Sequence, residues 1–236
     1  MVRLVGFRAP RSIMNDFQLE NPATYDVTAA AAAEMQEQLA KLVSLEDDFG
    51  PILRIAGVDV NIARGWDTGT CGIVVLSYPD MRAVETTEYT GPVKFPYIPG
   101  LLAFRELPLL LGAFKQLRHT PDMLFLDGHG LAHPRRFGLA CHAGLALNMP
   151  AVGIAKSRLI GHYEEPGFES GSVSPLLDEA ERIGDVLRTK DGVKPIFVSP
   201  GHRVSFETAI RLALACTRRY RVPEPTRLAH NLVSSR

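Results

Sequence analysis

The sequence has little cysteine, and none of it is arranged to work together. Its three, Cys71, Cys141 and Cys216, are far apart and form no CxxC pair. That argues against a disulfide framework and a zinc knuckle, and each reads as a small buried hydrophobe. Long apolar runs are missing as well, so no segment reads as a membrane span. The first residues, MVRLVGFRAPRSIMNDF, lack the unbroken apolar centre of a signal peptide. The expectation is a soluble cytoplasmic protein. Net charge is also absent, with 26 basic residues against 26 acidic ones, so the chain as a whole does not attract nucleic acid. No repeat or low-complexity linker divides it. A chain of 236 residues, 46% hydrophobic, is expected to form one α/β domain over 1–236, with 1–25 an irregular lead-in.

The charge that is present is unevenly placed. Gly201 to Arg236 carries seven arginines and only Glu207 and Glu224 as acids, whereas Gln18 to Phe49 leans acidic. A locally basic face fits a phosphate backbone; it fits an ordinary solvated helix surface equally well.

Alanine-rich Val27 to Val43 reads as a helix. LRIAGVDVNIA, TCGIVVLSYP and MRAVETTEY are rich in β-branched residues and read as three successive antiparallel strands. Trp66, in the turn between the first two, is expected to cover the hairpin's own apolar face. LPLLLGAFKQL reads as a helix with Pro108 in its first turn, where the missing N–H costs nothing. PDMLFLD reads as a strand ending at Asp127, FGLACHAGLAL as a helix and AVGIAK as a further buried strand. Gly161 to Ser174 reads as a mobile loop, IGDVLRT and KPIFVSPG as a hairpin around Asp191-Gly192, and RVSFETAIRLALACTRRY as an amphipathic helix. Three strands, then helix, strand, helix, strand, predict a mixed sheet flanked by helices, the coarse order of a ribonuclease H-like fold.

Alternation in the first strand puts Ile55, Gly57, Asp59 and Asn61 on one face, so Asp59 has apolar neighbours and needs a partner. Glu106 starts an otherwise apolar helix, and Asp127 ends a buried strand. Each acid alone reads as a cap or ion pair. Three together read as an oxygen-rich site for a hard cation such as magnesium. Lys156 closes a strand expected to run parallel to the one ending at Asp127. That puts both on one rim of the sheet, where a lysine can meet phosphate. His202 is expected to face the same rim, or else to cap the following helix. His129, His133 and His202 offer a zinc alternative, weakened because Gly128, Gly130 and Pro134 make a helix there implausible. SPGH at Ser199 lacks the GxSxG elbow of a serine nucleophile.

With these residues in place the sequence resembles the endonuclease V family from about Leu53 to Pro225. The resemblance is carried by GVDV at Gly57, FPYIPGLLAFRE at Phe95, FLDGHGLAHPRR at Phe125, GIAK at Gly153, GHRVS at Gly201 and YRVPEPTRLA at Tyr220. It implies a ribonuclease H-like metal-dependent hydrolase that nicks nucleic acid at the second phosphodiester 3′ of deoxyinosine, leaving a 3′-hydroxyl and a 5′-phosphate. By motif position Asp59, Glu106 and Asp127 would hold magnesium, with manganese as a substitute. His202 would assist them, and Lys156 and His133 would lie near the scissile phosphate. Arg135 and Arg136 would meet phosphates. Backbone groups around Gly100 and Gly128 would read the swung-out base, and Tyr97 would fill the space it leaves. The family often has two lysines in a row after GVA; here Lys156 is followed by Ser157 and Arg158, which restores part of the charge. The expected partner is DNA, or RNA, containing inosine. No protein partner is implied, so a monomer is expected. A catalytically idle protein that kept the base pocket is the competing reading.

Overall fold

The structure, a computed structural model, describes residues 19–62 and 67–234. Trp66 and residues 1–18 of the expected lead-in lie outside them. Strands β1 (Arg54–Asn61), β2 (Thr68–Ser77) and β3 (Ala83–Pro92) form the expected antiparallel meander. β4 (Met123–Asp127) and β5 (Ala151–Ala155) run parallel to β1 and to each other. β6 (Val173–Asp178), β7 (Glu181–Leu187) and β8 (Ile196–His202) complete one mixed sheet of order β3-β2-β1-β4-β5-β8-β7-β6.

Among the described residues there are five α-helices, α1 (Ala29–Ala40), α2 (Ala103–Phe114), α3 (Leu139–Leu147), α4 (Phe206–Ala215) and α5 (Glu224–Ser234). The last four lie on the sheet, and α1 packs on α3 through Leu39. α1 starts where Thr28 accepts from the Ala31 N–H, and α4 where Ser205 accepts from that of Thr208. Asn148, left-handed at φ 49°, ends α3. α2 and α3 bury their apolar residues against Ala56, Val58, Leu124 and Leu126 on one sheet face. α4 packs on the other, against Ile55, Phe125, Val152 and Ile154. The alternation read from the sequence is therefore the one observed.

α5 has no counterpart among the expected elements, and it crosses β1 and β2 almost in contact with their backbones. A Cβ at Gly57 would stand 1.8 Å from the Pro225 carbonyl oxygen, and one at Gly72 would stand 2.7 Å from a Val233 methyl. Only glycine admits the helix at this depth.

Three local expectations need correction. α2 begins at Ala103, because a turn at Ile98–Leu101 starts it early, so Pro108 sits inside the helix and not in its first turn. The segment read as a loop to Ser174 gives way to β6 at Val173, which pairs with β7. The helix expected over Arg203–Tyr220 is confined to Phe206–Ala215.

Candidate metal centre at the carboxyl rim of the sheet

β1 and β4 are parallel neighbours, so Asp59, near the end of β1, and Asp127, the last residue of β4, come to the same rim on the α5 face. α5 brings His230 over them. Its Nδ1 lies 2.7 Å from Asp59 Oδ2, and ligand atoms of Asp59, Asp127 and His230 all lie within 4.8 Å of one another. Among the described residues no other cluster of acids, histidines and cysteines meets that spacing. His230 was not singled out in the sequence, where YRVPEPTRLA stops one residue short of it.

Glu106 reaches the centre from α2, on the opposite face. It is not within the 4.8 Å group, but its charge is felt there. Burial, then Asp59, then Asp127 push its carboxyl up to about 8, with Arg105 working against them. Burial and the neighbouring Asp127 also raise Asp59, opposed by its bond to His230. Beneath them Cys71 is fully buried, and burial with the Glu106 and Asp59 charges pushes its thiol well up. Acids crowded against their own ionisation form a site that a cation would relieve. Carboxylate oxygens with one imidazole suit magnesium or manganese better than a soft metal. Lys156, just beyond β5, meets Asp127 Oδ2 at 2.5 Å, as the parallel-strand reading requires.

His202 is not part of this group. β8 runs antiparallel to β5, and His202 pairs with Ala151 at the start of that strand. The length of β5, roughly 13 Å, separates it from the rim. It is buried and accepts a hydrogen bond from the Ser44 N–H at 3.2 Å. The GHRVS stretch ties down residues 44–48 instead: Arg203 N–H donates to the Ser44 carbonyl, and Ser205 N–H to Asp47.

The HPRR stretch is bonded to other parts of the protein. The ring of buried His133 lies 2.9 Å from the Gly100 carbonyl through Nε2, and Arg135 donates to the same oxygen at 2.7 Å. Arg135 also donates to Gln36 Oε1 at 2.6 Å, and Gln36 in turn donates to the Phe137 carbonyl. Arg136 pairs with Asp178 and Glu181. These partners engage all three side chains within the protein. The Gly128 N–H donates to the Ile154 carbonyl.

What these bonds do is hold the loop that carries Tyr97. Arg105 grips the Phe95 carbonyl at 2.7 Å, His133 and Arg135 grip Gly100, and Pro99-Gly100 makes a tight turn with Gly100 at φ +79°. The Leu101 N–H closes that turn on the Ile98 carbonyl, the pattern of a type II turn. Tyr97 is left 71% exposed on a loop fastened at both ends. The zinc alternative does not assemble. His129 Nε2 faces the Ser157 carbonyl, His133 faces Gly100, and His202 lies at the other rim.

A family model described as Endonuclease V matches residues 37–231. An endonuclease V of Trichormus variabilis is 45% identical over 220 residues, covering 93% of this chain and all of the relative. The crystal structure of an endonuclease V from Streptomyces avermitilis superimposes with a TM-score of 0.85 at 43% identity, over 89% of this chain and 93% of that one. A Ciona intestinalis endonuclease V, in complex with a 23mer DNA containing an inosine followed by a ribo-adenosine, gives a TM-score of 0.79 at 30% identity, over 88% and 97% of the two chains. The mixed sheet is thus the ribonuclease H-like one these proteins share.

Proposed function

The chain belongs to the endonuclease V family, and from that premise we propose that it is a divalent-metal-dependent endonuclease acting at inosine in a nucleic acid strand. It hydrolyses the second phosphodiester on the 3′ side of the altered base, leaving a 3′-hydroxyl and a 5′-phosphate, in the repair of deaminated purines in DNA. The observation that carries this reading is the meeting of Asp59, Asp127 and His230 within 4.8 Å. The inosine-containing DNA held by the Ciona relative supports the substrate class.

Asp59, Asp127 and His230 would hold magnesium or manganese, with Glu106 beside them. Such an ion, when bound, lowers the pKa of a coordinated water and offsets charge on the phosphate. The protein's own groups do the rest. Asp59 accepts from His230 Nδ1, which sets the ring's orientation and tautomer. Lys156 pairs with Asp127 in the free protein, and with substrate present its ammonium would meet a phosphate oxygen instead. Tyr97, exposed on its braced loop, fills the space of the extruded base and stacks on a neighbour, a contact worth about 1–3 kcal/mol.

The test is nicking of matched DNA and RNA strands bearing one inosine, with and without magnesium. Magnesium-dependent cutting at the second 3′ phosphodiester, lost in Asp127→Ala, is expected. Equal cutting of strands without inosine, or an unchanged rate in Asp127→Ala, would overturn the reading.

A further inference from the structure

Just past Lys156 in the chain, Ser157 and Arg158 line a pocket of about 510 Å³ together with Tyr163, Glu165, Lys194 and Phe197. The bonds described above do not use it. Its charges are unevenly satisfied. Glu165 is paired with Arg188, whereas among the described residues neither Arg158 nor Lys194 has a carboxylate partner. Both are exposed. Arg158 lies over the Tyr163 ring at 5.8 Å, and Tyr163 stands edge-on to Phe197 at 5.5 Å. Two free cations beside a braced aromatic are the parts of a site for a nucleotide strand: charge for the backbone and a ring for a base.

We propose that this pocket holds the strand on the 3′ side of the scissile bond, with phosphates between Arg158 and Lys194 and a base against Tyr163. The assignment rests on the function proposed above and extends it. Arg158 follows Lys156 by two residues across a bend, at most about 7 Å of chain. That is one or two nucleotides at the roughly 3.4 Å per nucleotide of one DNA strand. The direction follows from the 128–138 loop. His133 and Arg135 of that loop hold Gly100 and the Tyr97 turn on one side, while its Ala132 packs with Ala155, Phe197 and Tyr163 on the other. A base read beside Tyr97 lies two phosphodiesters 5′ of the cut. The strand therefore arrives from the Tyr97 side, passes Asp127 and Lys156, and leaves over the pocket.

The experiment compares inosine strands that extend about six nucleotides past the cut with strands that end one nucleotide past it. In the wild type the shorter strand is expected to raise KM about tenfold, because Arg158 and Lys194 are left without phosphates to neutralise. In the Arg158→Ala, Lys194→Ala double variant the longer strand is expected to show that same rise. Shortening it should then add nothing, and the salt slope should fall by about two. A double variant that keeps the wild type's length dependence overturns the proposal. So does a penalty that appears on 5′ truncation instead. The same comparison is read by fluorescence anisotropy without metal, where cutting is not needed. Loss of inosine cutting in the wild type therefore counts against the function, and loss of the length effect counts against the pocket.

Discussion

His230 Nδ1 lies 2.7 Å from Asp59 Oδ2, although 171 positions of chain separate the two residues. One sits on a helix and the other on a central strand, and the bond is possible only because Gly57 and Gly72 let α5 lie on the sheet.

His230→Ala is expected to lower nicking about a hundredfold or more, the scale on which an acid–base or ligand group acts. His202→Ala should leave kcat within a few-fold and instead cost about 1–3 kcal/mol of stability, because the Ser44 N–H loses its acceptor. Steady-state cleavage and urea unfolding of both variants check this. Equal loss of kcat in the two would refute the assignment.

Magnesium should raise Tm in the wild type, since an ion that binds only the folded state at a hundred times its Kd adds about 2.7 kcal/mol. In Asp127→Asn the metal-dependent rise should vanish. A thermal melt with chelator and then with magnesium reads the difference directly.

Stability of the metal-free protein should peak at about pH 7. Burial holds His129, His133 and His202 down at about 4 and His142 at about 3, from an ordinary 6.5. Between those values the unfolded chain binds more protons, so stability rises with pH. Glu106 has the opposite sign. Its folded pKa of about 8 against an ordinary 4.5 means stability is lost as pH climbs through that window. At pH 6.5 the four histidines of the unfolded chain are still half protonated and outweigh it. The two effects balance only at about pH 7, and above that Glu106 dominates. Urea melts from pH 4 to 9 in chelator should show the peak, and Glu106→Gln should flatten the descending side. Stability still climbing at pH 8 in the wild type would contradict the reading.

Arg135→Ala should loosen the Tyr97 loop without touching the metal centre. It removes one of two donors to the Gly100 oxygen and leaves Gln36 Oε1 without that partner, a cost of about 1–3 kcal/mol. KM for the inosine strand is expected to rise more than kcat falls. A selective fall in kcat would instead place Arg135 at the chemistry.

Much of this was legible in the chain. The period-two pattern of LRIAGVDVNIA put Asp59 on the face it occupies, and the short apolar run ending at Asp127 gave β4 its end and the rim its acid. α5 was legible in part, since Pro225 falls near its start and Leu228, Ala229, Leu232 and Val233 follow helical spacing. Nothing local shows that such a helix crosses β1, so His230 looked like any surface histidine. The partners of the HPRR stretch were equally hidden. Its charge suggested phosphate, and Gln36, Gly100, Asp178 and Glu181, all remote in sequence, bind it within the protein.

Side-chain alternation, helix periodicity and the residue types of the motifs are local, so the sequence by itself determined the elements, their inner faces and the chemistry of the acids. Strand direction and helix docking depend on which distant segments meet. Only the tertiary structure decided that β8 runs against β5 and carries His202 to the far rim, while α5 settles on two glycines and delivers His230. The physical reason is packing: a residue's own strand fixes which side it faces, but the neighbours fix which end of the sheet it reaches.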